Sequence, residues 1–299
     1  MAAGDGHRDW RAIMTGTLLC LGHGYCAQRF VALHGDAFAR HIGTSRSEEP
    51  FPGMEMLRVD GPPSPALLEA AGAADAVLVS AAPGEAGDPF LGPLGEALAE
   101  GKGPLVYLST IGVYGDSAGA WIDENAPAAA TAPRARRRIE AEAGWQDLGR
   151  RTGRPVAVLR LGGIYGPGRN ALIDVADGTA RCIEREGQVF NRIHVDDIAG
   201  AIHAAITQHF DGVVNVVDDE PSPSCAPVRF AATLLGLPPP VPEKFEEAAP
   251  RMSAMALSFW ADNRRVSNRR LHALLGGALR YPTFREGLSA LAPTIRESP

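Results

Sequence analysis

Residues 17–31 read Thr17-Leu18-Leu19-Cys20-Leu21-Gly22-His23-Gly24-Tyr25-Cys26-Ala27-Gln28-Arg29-Phe30-Val31. The apolar run 18–21 has the length and character of a buried parallel strand. It stops at Gly22-His23-Gly24, and a helix is predicted from Tyr25 onward. Strand, glycine turn and helix in that order are how a dinucleotide fold meets a pyrophosphate. Gly22 permits the tight turn, Gly24 lets the phosphates approach the backbone, and Ala27 lets the helix pack close to the strand. The free N–H groups and positive end of the helix face the anion. His23, Tyr25 and Cys26 join the two glycines as cofactor-binding candidates, with His23 a neighbour of the pyrophosphate and not a metal ligand. A glycine pair alone serves any tight turn, so its weight depends on the pattern of the chain after it.

That pattern alternates. Strand-like runs are predicted at 39–44, 54–59, 76–80, 104–109 and 156–161, with helices at 65–71, 89–100 and an Arg- and Ala-rich 133–149. This pattern implies an α/β, Rossmann-type, doubly wound parallel sheet. Ligands of such sheets sit beyond the carboxyl ends of the strands. Those ends are Thr44-Ser45-Arg46, Asp60, Ala81-Ala82-Pro83, Ser109-Thr110 and Gly162-Gly163. All are cofactor candidates except Thr110, which falls to the substrate.

The second half is less regular. Strands are expected at 188–193 and 212–217 around a helix at 195–208, and 218–227 reads as loop. Four prolines in 237–242 end the helix before them. The expected organisation is an N-terminal disordered arm (1–13), a dinucleotide-binding domain (14–170) and a smaller mixed substrate lobe (171–299), some of whose segments return to the sheet. The other reading of the arm is an over-extended start upstream of Met14.

The bulk composition limits the partners. With 299 residues, 45% hydrophobic and 21% charged, the chain is an ordinary globular protein. The 29 Lys and Arg against 35 Asp and Glu give a net charge of −6, which argues against general nucleic-acid binding. No apolar run is long enough to span a bilayer, and residues 1–13 lack the apolar stretch of a signal peptide. Cys20, Cys26, Cys182 and Cys225 show no Cys-x-x-Cys spacing. They read as reduced thiols in the cytoplasm, without a metal site.

Arg46 follows the second strand about twenty residues after the glycine turn, where an acid favours NAD and a basic residue favours the 2′-phosphate of NADP. NADP is therefore the expected cofactor, with NAD the lesser alternative and hydroxyl donors from Thr44 and Ser45. The other reading of Arg46 is a solvated arginine beside Glu48 and Glu49.

Three motifs lie in order: Leu108-Ser109-Thr110-Ile111-Gly112-Val113-Tyr114-Gly115, then Leu159-Arg160-Leu161-Gly162-Gly163-Ile164-Tyr165-Gly166-Pro167-Gly168, then Ile193-His194-Val195-Asp196-Asp197. With them the chain resembles the extended short-chain dehydrogenase/reductases, and within these the NAD-dependent epimerase/dehydratase-like group. The tail, Asn263 to Asn268 and Tyr281 to Gly287, is similar to an atypical bacterial branch. The resemblance implies a Tyr-x-x-x-Lys pair on the long helix. The tyrosine moves a proton, the lysine holds the nicotinamide ribose, and the Ser/Thr hydroxyl holds the substrate oxygen. By register, Arg134 stands in the tyrosine's place and Arg138 in the lysine's. A guanidinium stays protonated near neutral pH, so Arg134 is no general acid. Arg138 keeps a possible ribose-binding role. Thr110, Tyr114 and Arg138 are thus the catalytic candidates, with Tyr114 the nearest replacement phenol and Tyr165 the second. Pocket walls are the alternative for both tyrosines, and Arg136 and Arg137 read as a solvated helix face balanced by Glu140 and Glu142.

Asp196 and Asp197 read as helix caps, His194 as a packed side chain or a proton carrier, and Arg192 as an anion contact or a surface ion pair. Two functions stay open. One is an NAD(P)-dependent oxidoreductase or epimerase-like enzyme acting on a small carbonyl or hydroxyl compound with a non-standard proton donor. The other is an NADP-binding sensor without redox chemistry. Expected partners are a small molecule and a second copy of the chain, with no nucleic acid and no membrane.

Overall fold

Leu18 and Cys20 of β1 (Met14–Leu21) face one side of a sheet and Leu19 and Leu21 the other, and all four are fully buried. A parallel strand covered by helices on both faces needs such an unbroken apolar run. The computed structural model describes residues 14–47 and 50–296, so the expected arm at 1–13 lies outside the described residues, as do Glu48 and Glu49.

After β1 come α1 (Tyr25–His34), β2 (Phe38–Ser45), β3 (Glu55–Arg58), α2 (Pro65–Ala73), β4 (Ala76–Val79), α3 (Leu91–Glu100) and β5 (Leu105–Thr110). The short β6 (Trp121–Ile122) precedes the long α4 (Pro133–Thr152) and β7 (Val156–Leu161). Then come β8 (Gly163–Tyr165), α5 (Ala171–Ala176), β9 (Cys182–Glu184), β10 (Arg192–His194), α6 (Val195–Thr207) and β11 (Gly212–Val216). Seven strands form one parallel sheet in the order β11-β7-β5-β4-β1-β2-β3. This is the Rossmann order with an added strand, and the order reverses between β1 and β4. Phe30 of α1 and Ile198 and Ile202 of α6 cover one face. Leu67 of α2, Leu94 of α3 and Trp145 of α4 cover the other.

The remaining elements are α7 (Cys225–Leu235), β12 (Pro242–Lys244), α8 (Phe245–Ala248), α9 (Ala254–Trp260), β13 (Arg265–Val266), α10 (Arg269–Leu275) and α11 (Phe284–Arg296). Leu172 of α5, Ala231 of α7 and Phe284 of α11 share a separate small core. Leu271 and Leu274 of α10 join the core of the main sheet instead. No helix of the described residues is long and apolar enough to cross a membrane.

Three expectations change. The strand predicted at 188–193 shrinks to β10, because Phe190 exchanges backbone hydrogen bonds with Ser222 and the Asn191 side chain bonds Arg264 and Val266. The loop predicted at 218–227 ends early, since α7 begins at Cys225. The four cysteines are not all reduced: Cys182 and Cys225, 43 residues apart, form a disulfide, and Cys20 and Cys26 are free and buried. The bridge joins β9 to the first turn of α7, a contact that only the folded lobe creates.

Candidate active site

The turn after β1 is held from two neighbouring strands. Gly22 has φ +90°, and a Cβ there would stand 2.8 Å from the Ala81 nitrogen after β4, so only glycine fits. Its N–H donates to Thr44 Oγ1 at 2.7 Å, and the His23 N–H donates to the Thr44 carbonyl at 2.9 Å. Thr44 is therefore a strut between β2 and the turn, and its hydroxyl bonds the Cys20 carbonyl. Gly24 caps α1 without a side-chain bond, and a Cβ there would meet nothing within 4 Å. The first turn of α1 carries no acid. Free N–H groups beside open space suit an anion, so the turn fits a pyrophosphate.

A cavity of about 910 Å³ opens here, at the switch point of the sheet. Gly22, His23, Gly24 and Thr44 line it, with Ser45 and the exposed Arg46 at the end of β2. Ala81 and Ala82 form the opposite wall. Among the described residues both ring nitrogens of His23 are buried without a partner; its ring packs edge-on against Phe51 at 4.4 Å, and burial lowers its pKa. Of the cofactor candidates, Tyr25, Cys26, Asp60, Pro83, Ser109, Arg138, Gly162 and Gly163 do not line this space. Asp60 pairs with Arg58 at 2.7 Å, Pro83 lies outside the wall, the Tyr25 hydroxyl donates to the Pro167 carbonyl, and burial pushes the Cys26 thiol up to about 11.

A second cavity, about 420 Å³, lies beyond β5 and β7. Thr110, Gly162, Gly163 and Tyr165 line it from the sheet side. A Cβ at Gly162 or Gly163 would press on the Asn191 carbonyl at 3.1 or 3.3 Å. Thr110 also caps the turn after β5 by accepting from the Gly112 N–H at 3.1 Å. Tyr165 donates to the Thr283 carbonyl at 3.3 Å, and burial raises its pKa far above the usual phenol range.

The other catalytic candidates are turned away. Tyr114 is buried, donates to Asn215 Oδ1 at 2.7 Å and lies under the Arg160 guanidinium; it does not line the cavity. Burial raises its pKa as well. Ser109 donates to Glu142, which forms a buried ion pair with Arg160 at 2.7 Å, so this hydroxyl is already engaged and lines neither cavity. Arg138 donates to the Leu108 carbonyl at 2.7 Å and the Tyr107 hydroxyl at 3.1 Å and lines neither cavity. It clamps α4 to β5. Arg134 is exposed, and α4 contains neither a tyrosine nor a lysine.

The segment after β10 is structural too. His194 caps α6 by accepting from the Asp196 N–H, packs between Tyr165 and Tyr281, and is kept neutral by burial. Asp196 pairs with Arg29 at 2.6 Å, and Asp197 accepts from the N–H groups of Arg280 and Tyr281. One group with metal-binding donors occurs among the described residues, Cys182, Glu184 and Cys225; its sulfurs are bonded to each other and Arg229 holds Glu184.

The structure adds residues that the sequence pattern does not place. Phe259, Trp260, Asp262 and Arg264 close the second cavity from the far end of the chain, where they join Arg192, the expected anion contact, which enters it from β10. The tail is recognisable as a motif, but nothing in its spacing tells which strand end it covers.

The family described as NAD dependent epimerase/dehydratase matches residues 93–217. A protein from Streptomyces sp, named 3-diazoavenalumate denitrifying reductase, is 34% identical over 140 residues, 44% of this chain and 45% of that enzyme. The chain thus matches less than half of that enzyme's length. A functionally unknown conserved protein from Silicibacter pomeroyi is 41% identical, with a TM-score of 0.82 over 94% of this chain and 99% of that one. A Methylobacillus flagellatus structure assigned as an NAD-dependent epimerase/dehydratase is 26% identical, with a TM-score of 0.71 over 95% and 100%. With the turn, the sheet order and these matches in agreement, the chain belongs to the NAD dependent epimerase/dehydratase family.

Proposed function

We propose that this chain is an NADP(H)-dependent reductase of a small organic molecule, and that its side chains bind and orient the reactants without supplying a proton. The cofactor, when bound, supplies or takes up a hydride. Gly22, Gly24 and the first turn of α1 would hold its pyrophosphate, and Arg46 and Ser45 would face the 2′-phosphate.

The observation that carries the reading is the chemistry of the second cavity. Its ionisable side chains are Tyr165, Arg192, Asp262 and Arg264. The Tyr165 phenol is held protonated by burial, Asp262 is engaged by Arg264 at 3.0 Å, and guanidinium groups do not give up protons near neutral pH. Thr110 is left to orient a substrate oxygen or nitrogen, and water supplies any proton the product needs. The Streptomyces relative is named for the denitrifying reduction of a diazo compound. Departure of nitrogen as a leaving group draws no proton from a side chain, which agrees with this cavity. The alternative, a cofactor-binding regulator, draws on the absence of tyrosine and lysine from α4.

Two measurements test the proposal. Nicotinamide fluorescence titrations should show NADPH binding at least about tenfold tighter than NADH, with Arg46→Asp reversing the order. Equal affinities, or no change in the variant, would remove Arg46 from the site. Once a substrate is turned over, kcat should stay level between about pH 6 and 9, because no side chain moves a proton. A bell-shaped profile would reinstate a protein acid, and tight NADPH binding with no turnover on any substrate would favour the regulator.

A further inference from the structure

Among the described residues, Arg192 forms no ion pair, and Asp218 and Glu220 reach its charge only from a distance. Its guanidinium donates to the Phe190 carbonyl, to the carbonyl and hydroxyl of Ser222, and to the Pro223 carbonyl. All four acceptors are neutral, and among the described residues no carboxylate lies within 4 Å of it. Asp218 and Glu220 are the nearby acids, but neither lines the cavity; burial pushes the Asp218 pKa up to about 8, and Arg285 holds Glu220. A half-buried cation with neutral hydrogen-bond partners alone favours an anion beside it, and the cavity it lines has room for one. The second cation of the cavity, Arg264, is already matched by Asp262.

The rest of the wall is aromatic. Phe190 meets Trp260 edge-on at 5.0 Å, and Phe259 borders the same space while 62% of it remains exposed. An exposed ring at the mouth of a cavity is apolar surface awaiting cover. The volume, about 420 Å³, lies at the small end of the ~300–1,000 Å³ typical of ligand pockets. A neighbouring cavity of about 730 Å³ shares Trp260 and Ser224 with it. That space mixes its cations with Glu184, Glu186 and Glu246, which disfavours a diphosphate.

We propose that the second cavity takes a small aromatic acid, with its carboxylate on Arg192 and its ring against Trp260 and Phe259. The inference rests on the reductase reading and names its substrate class. One cation without an ion pair matches one carboxylate, and a guanidinium suits that group better than any neutral polar atom does. The aromatic walls supply the area that holds the ring.

The test is calorimetric binding to the full chain. NADP⁺ affinity is measured first, then trans-cinnamate, its neutral amide and UDP-glucose, each with and without saturating NADP⁺. Cinnamate should bind at least about tenfold more tightly than the amide, the loss expected on removing one charged hydrogen bond. Arg192→Gln should erase that difference. Phe259→Ser, a change at an exposed position that leaves the fold intact, should weaken acid and amide alike by several-fold, so the inference stays testable should Arg192→Gln fail to fold. Equal binding of acid and amide, preference for UDP-glucose, or no cinnamate binding at millimolar concentration in a chain that holds NADP⁺ would overturn the inference alone. A chain that prefers cinnamate to its amide but binds no nicotinamide cofactor would support the inference and overturn the reductase reading.

Discussion

Asp218, two residues after the end of β11, is 2% exposed, and neither of its oxygens meets a donor at normal geometry among the described residues. Burial raises its pKa to about 8, partly opposed by the Arg192 charge. A solvated aspartate titrates near pH 4, so the folded chain holds a proton that the unfolded chain releases between about pH 4 and 8. The contribution of this group is fully present below about pH 4 and is lost as pH rises through 8. The stability of Asp218→Asn relative to the native chain should therefore rise between pH 5 and pH 8, by about 2 kcal/mol or more, in urea unfolding. An equal loss at both pH values would mean that the carboxylate is ionised and partnered. Residues such as this one divide what a sequence reveals from what it hides. Gly22 and Gly24 are legible because their role is local backbone geometry. Ser109 and Tyr114 mislead because their partners, Glu142 and Asn215, are 33 and 101 residues away. A motif names the side chains, but packing decides which way each hydroxyl points.

At the level of elements, the strands of the sheet are readable because burial on both faces leaves a plain apolar signature. Four-residue runs such as β4, with every side chain buried, admit no other use. The second lobe has no such signature. Its strands are two or three residues long, below the length at which periodicity speaks. The disulfide between β9 and α7 does there what a large core does elsewhere. Closing a loop across 43 residues restricts the unfolded chain and contributes about 4 kcal/mol. The unfolded, unreduced chain should titrate two thiols, rising to four after reductant, and reduction should lower the unfolding free energy by about that amount. Four thiols without reductant would show that Cys182 and Cys225 are not bonded.

At the scale of the whole molecule, the two cavities differ in how they are assembled. The first, between β1, β2 and β4, is assembled by consecutive elements, and its glycines and Arg46 succeed one another along the first 46 residues. The second joins residues from 110 to 264, brought together where β5 and β7 end beneath α9 and the turn before β13. The sequence by itself determined the parallel sheet, the glycine turn and the preference for a dinucleotide, because these arise from short-range sterics and strand burial. Only the tertiary structure decided that Tyr114 faces inward, that Arg138 clamps a helix, and that Arg192 meets an aromatic wall. These are contacts between distant segments, and their geometry is set by packing rather than by spacing along the chain.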